Sequence, residues 1–148
     1  MTLAEKLTQP PKRDGVVSDC CSMIDDEVKG KGGLSGIAVK GAYSLVKAVK
    51  PRFVTEVVDG MLDAWVAKLT PFYDEWKGAG SATPFGNYLG SRSSEVAERL
   101  LEVTDAKAQR TTNGGVKKMY EKMRPTAKKH VEEAIPKLGR LVEKHAAS

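Results

Sequence analysis

Apolar residues along this chain recur every three or four positions in one segment after another, the spacing that lines a single face of an α-helix. In the stretch from Lys31 to Pro51 the stripe is Leu34, Ile37, Ala38, Gly41, Ala42, Leu45, Val46 and Val49, with Lys40, Lys47 and Lys50 off it. Ala38, Gly41 and Ala42 are very small, so the pattern predicts a central helix that a neighbouring backbone approaches closely. Ahead of it, residues 2–8 suit one short helical turn ended by Pro10 and Pro11. A helix from about 11 to 29 follows, with Val16, Val17, Cys20, Cys21, Ile24 and Val28 inward. Lys29–Gly33 reads as a flexible hinge.

After Pro51 the most strongly amphipathic stretch begins: Val54, Val57, Val58, Met61, Leu62, Trp65, Val66 and Leu69. Its phase continues through Phe72, Tyr73 and Trp76, with a break or kink expected at Pro71, because proline removes a donor and crowds the preceding turn. Thr70-Pro71-Phe72 and Thr83-Pro84-Phe85 share one logic: threonine as cap, proline at the first helical position, aromatic inward. A short helix over 84–90 is followed by one to about 110, capped from Ser91–Ser94. It buries Val96, Ala97, Leu100, Leu101 and Thr104 and pairs Glu95 with Arg99. Beyond the loop at Thr111–Gly115, a helix from about 115 to 124 is expected to bury Val116, Met119, Tyr120 and Met123. Pro125 should restart the chain into a last helix, kinked or split at Pro136, with Ala127, Val131, Ala134, Ile135, Leu138, Leu141 and Val142 inward. No window sustains strand alternation and no internal repeat appears. The pattern predicts one all-α domain over 1–148, a compact bundle of about six to eight helices.

Composition adds little to this picture. With 148 residues, 41% hydrophobic and 29% charged, the chain is large enough for one self-sufficient core. It has no apolar run long enough to span a membrane and no apolar signal segment at its start. Its two adjacent cysteines, Cys20 and Cys21, read as reduced thiols, and a cytoplasmic setting is expected. Charge changes the picture more. The net +5 divides into −2 over residues 1–106 and +7 over 107–148, so a basic third follows a mildly acidic body.

With the chain read through, VSDCCSMIDDEV (Val17–Val28), Lys31–Lys50, VTDAKAQR (Val103–Arg110) and KKHVEEAIPKLGRLVEKH (Lys128–His145) can be taken together. In this order and spacing they resemble a family of small bacterial proteins carried as a domain of unknown function. The resemblance covers nearly the whole chain and implies one domain in a bacterial cytoplasm. It carries no activity and no functional residue.

No catalytic constellation is visible, and the chain is not read as an enzyme. His130 and His145, the only histidine bases, lie far in sequence from Cys20 and Cys21, which read as core thiols. No metal-ligand spacing appears and no cofactor is expected. His130 with Glu133 reads as a surface ion pair, and Asp25-Asp26-Glu27 as a solvated acidic turn. Gly30–Gly33 lacks the order of a Walker loop. Lys29, Lys31, Gly32, Gly33 and Ser35 form a candidate anion site at a helix start, against the plainer reading of a hinge. The basic cluster Arg110, Lys117, Lys118, Lys122, Arg124, Lys128 and Lys129 is a candidate for non-specific nucleic-acid binding, although it lacks an aromatic stacking platform. Phe72, Tyr73 and Trp76, after Trp65, are candidates to line a small-ligand or lipid cleft, or else plain core. A protein partner, including a second copy of the chain, is the leading expectation. Nucleic acid is the alternative, and the aromatic cleft the weaker one.

Overall fold

The computed structural model describes residues 2–30, 52–112 and 114–147, together with 40, 41, 44 and 48. Among the described residues the chain forms six α-helices and no strand. They are α1 (Leu3–Thr8), α2 (Lys12–Gly30), α3 (Phe53–Gly78), α4 (Phe85–Gly90), α5 (Ser93–Arg110) and α6 (Gly114–Ala147). The all-helical expectation holds. Most of the central helix assigned to Lys31–Pro51 lies outside the described residues. Gly41, Ser44 and Ala48 are helical and exposed, and a Cβ placed on Gly41 meets nothing within 4 Å. Among the described residues, therefore, no backbone comes close there.

The long element is α6, at 34 residues about 51 Å of helix. Helices α1, α2, α4 and α5 all pack against it, while α3 packs on α1, α2, α4 and α5. Helix α2 runs antiparallel to α6, because Asp19 meets Lys144 and His145 while Glu27 meets Lys137. The short α1 is core and not an appendage: Thr2 caps it by accepting from the Glu5 N–H, and Leu3 and Leu7 are each only 1% exposed.

The expected breaks at proline do not interrupt the helices. Helix α3 continues through Pro71, and α6 through both Pro125 and Pro136. Proline inside a helix costs about 3 kcal/mol. Across Pro71, Val66, Leu69, Phe72, Tyr73 and Trp76 are all buried in one core, and each such side chain is worth about 1.5–3 kcal/mol. Keeping the helix in phase therefore outweighs the lost bond. At Pro125 the restraint is polar: Arg124 and Lys128, on either side of it, both bind Glu98 of α5.

The capping expectations are corrected too. Thr70 is inside α3, its hydroxyl donating to the Val66 carbonyl. Pro84 is the N-cap of α4, not its first helical residue, and no side chain next to it in sequence caps it. The Phe85 N–H donates instead to Glu143 of α6 at 2.8 Å, a carboxylate at the positive end of a helix supplied from 58 residues away. Helix α5 has Arg92 as N-cap with no side-chain cap bond, and Arg99 pairs with Glu102, not Glu95.

Glycine does allow a close backbone approach, where α4 crosses α6. A Cβ on Gly86 would lie 2.6 Å from the Pro136 carbonyl oxygen, and one on Gly139 would lie 2.8 Å from the Gly86 nitrogen. This crossing drives Phe85, at 0% exposed, into the core, edge-on to Tyr73 with ring centroids 5.5 Å apart. Gly139→Ala should lower stability by about 3 kcal/mol in urea unfolding, because backbone on both sides leaves nothing to yield. Gly41→Ala should be neutral or stabilising by up to about 1 kcal/mol.

Candidate functional site

Among the described residues, the apolar stripes of α2, α3, α5 and α6 meet without filling the space between them. They leave a cavity of about 410 Å³ whose lining is almost wholly apolar. The sequence accounts for the gap. On α6 the lining positions Ala127 and Ala134 carry only a methyl group where Leu138 and Leu141 stand further along. Cys20, Met23 and Ile24 of α2 face them, with Leu62, Trp65 and Leu69 of α3 and Leu100 and Leu101 of α5 completing the wall.

One lining residue does not fit an apolar wall. His130 has both ring nitrogens buried, and among the described residues neither has a hydrogen-bond partner. A buried polar group left unsatisfied costs about 1–3 kcal/mol, so native structures carry few of them. The surface pairing of His130 with Glu133 is thus overturned: the imidazole belongs to the cavity. A signal for this was present, since His130 falls three residues after Ala127 and four before Ala134, on their stripe. Of the other polar lining groups, Thr126 is exposed and Thr104 and Glu27 are engaged. The Thr104 hydroxyl bonds the Leu101 carbonyl and Tyr120, and Glu27 pairs with Lys137 at 2.8 Å. Glu27 is therefore part of a wall and not of a solvated turn.

The expected aromatic cleft divides in two. Trp65 lines the cavity and donates its indole N–H to the Leu100 carbonyl. Phe72, Tyr73 and Trp76 are core, packed with Phe85. Cys20 lines the cavity, and burial, ahead of the charges of Cys21 and Asp19, pushes its thiol up to about 12, so it stays protonated and unreactive. His145 does approach α2, but it bonds Asp19 at 2.7 Å.

The basic cluster is split by the fold. Arg124 lies 2.8 Å from both Asp105 and Glu98, and Lys128 lies 3.2 Å from Glu98. Tyr120 donates to Asp105, so it joins this polar clasp between α5 and α6 instead of an apolar face. The Arg124 guanidinium is held above its ordinary value by the hydrogen bonds it donates to Asp105 and Glu98. In return Arg124 holds both carboxyls below theirs, against the opposing effect of burial. Arg110, Lys118, Lys122 and Lys129 are exposed and Lys117 half-exposed. The expected burial of Met119 and Met123 is corrected, since they are 64% and 47% exposed; the Val116 side chain lies outside the described residues. Of the helix-start anion candidate, Lys29 is exposed at the end of α2, and Lys31, Gly32, Gly33 and Ser35 lie outside the described residues.

A second cleft, of about 440 Å³, lies between α2 and α3 beside Asp14, Asp25, Glu56 and Asp59. Asp59 is already bound by Arg13. Among the described residues no group of three His, Cys, Asp or Glu side chains is placed to hold a metal ion. No helix among them is long and apolar enough to cross a membrane.

Among the described residues the protein is all-helical, and its helices border a partly open apolar chamber with one unsatisfied histidine. The chain belongs to a family of unknown function, DUF6918, whose family model matches residues 3–146. No curated protein and no solved structure matches it.

The clasp has a pH signature. Carboxyls held below their ordinary values contribute stability that is complete above the unfolded range, about pH 4, and is lost as the pH falls through their folded values. Wild type should therefore exceed Arg124→Met in stability at pH 7, and the gap should close between about pH 5 and about pH 3 in urea titrations.

Proposed function

We propose that this protein binds a small apolar molecule in the cavity between α2, α3, α5 and α6. The observation that carries this reading is the pair of unpartnered His130 nitrogens in an otherwise apolar chamber. Protein interiors are close-packed. A space of about 410 Å³ among these helices that is left unfilled forfeits packing contacts for the side chains that line it. The volume lies within the range of small-molecule sites, and an apolar wall with a few polar groups is their usual composition. The test uses a neutral fluorescent probe, N-phenyl-1-naphthylamine. Its emission should rise saturably with protein, and Ala134→Phe, which fills the chamber, should weaken it at least tenfold while unfolding at a higher urea concentration. Uptake unchanged in that variant would place the probe elsewhere.

A protein-partner reading has its own support in Met119 and Met123, large apolar side chains exposed on the cationic half of α6. Flexible thioethers suit adaptable contacts with another protein. Met119, unlike Met123, is not in the cavity wall. In sedimentation velocity, concentration-dependent association that Met119→Ser abolishes would support a second copy of the chain as that partner. A monomer at all concentrations would rule self-association out.

A further inference from the structure

We infer that the ligand is a single-chain amphiphile with a carboxylate head, a fatty acid in chemical class, seated with its head at His130 and its tail toward α1. This rests on the cavity reading above and adds the identity of the occupant.

Shape is the first argument. The lining follows α6 from Met123 to Val142, about 28 Å of helix, and α2 from Val16 to Val28, about 18 Å. A chamber of about 410 Å³ drawn out over such lengths is narrow. It suits one extended chain better than a compact ring system.

Polarity is the second. The antiparallel pairing of α2 with α6 puts Val16 and Val142 at one end, with Leu7 of α1 and Leu69 of α3, and that end has no polar side chain. Met123, Thr126 and His130 lie at the other, where Tyr120 reaches Thr104 and Arg124 reaches Asp105. Thr104 is engaged there and Thr126 is exposed, which leaves His130 as the buried polar group ready for a head group among the described residues. One such contact matches one terminal group on an otherwise apolar molecule.

Charge is the third. An imidazole N–H can donate to an acceptor. Of the nine Lys and Arg on α6, Arg124, Lys128, Lys137 and Lys144 are paired with carboxylates, and exposed Lys118, Lys122 and Lys129 on the His130 half of the helix supply the positive field that favours an anion. A phosphate head would call for several donors in a fork. A singly charged carboxylate is served by one, with water entering beside it to meet the second nitrogen.

The experiment is displacement of N-phenyl-1-naphthylamine from the full chain by dodecanoic acid, its methyl ester and dodecanol. The acid should displace the probe at a concentration at least tenfold below that of the ester, with the alcohol between them. His130→Phe should erase the acid's advantage, leave the ester unchanged, and unfold at a higher urea concentration, because two unsatisfied nitrogens are gone. As a readout independent of that variant, the ¹⁵N resonances of His130 should shift with the acid and not with the ester, while those of His145, bonded to Asp19, stay in place. Equal affinity for acid and ester, or an acid preference that survives His130→Phe, would overturn the head-group assignment and leave the cavity reading standing. Failure of the wild type to take up the neutral probe at all would instead overturn the cavity reading.

Discussion

Everything at the C-terminal end of α6 depends on two glycines meeting backbone to backbone. Gly86 and Gly139 let α4 lie against α6 at a distance that no side chain on either would permit. The approach brings the first amide of α4 to Glu143 and drives Phe85 into the ring cluster with Tyr73 and Trp76. One steric condition thus links a helix crossing, a cap from a distant residue and an aromatic core. The polar links from α2 to α6, Asp19 with His145 and Glu27 with Lys137, fall along this half of α6.

The other half of α6 is held by different means. From Gly114 to His130 it is fastened to α5 through Arg124, Lys128 and Tyr120 on Glu98 and Asp105, while Met119 and Met123 face outward. Hydrogen-bonded charge pairs position a helix without filling the space beneath it. The chamber opens where tight apolar packing gives way to this clasp, and His130 stands at the junction. An unsatisfied imidazole beside an unfilled apolar space lowers stability on both counts. Local departures of this kind, in a chain otherwise consistent with its fold, concentrate where a protein binds or reacts.

The same contrast explains the fate of the basic third. Its net charge of +7 is a property of composition, but the fold spends Arg124 and Lys128 on internal carboxylates. The exposed remainder, Arg110, Lys118, Lys122 and Lys129, is a smaller cationic surface than the chain suggests. Linear charge cannot distinguish a cation that crosses to a neighbouring helix from one that faces water, because the partners Glu98 and Asp105 lie 19 or more residues away.

By itself the sequence determined the helical class and the positions of α1, α2, α4 and α5. It also determined the inward faces of α2, α3 and α5, because these follow from local periodicity and from turn residues. It placed Val16, Leu62, Trp65 and Leu100 inward correctly, and His130 was readable in the stripe between Ala127 and Ala134. Only the tertiary structure decided the rest. It carried α3 and α6 through their prolines, since burial on both sides outweighed the lost bonds. Among the described residues it made Gly86 and Gly139 the sites of close backbone approach, replaced neighbouring caps with Glu143, and turned Met119 and Met123 outward. It also left a gap, among the described residues, where four apolar stripes converge. Periodicity states which face of a helix turns inward, whereas the room between four such faces depends on how side chains distant in sequence share one volume.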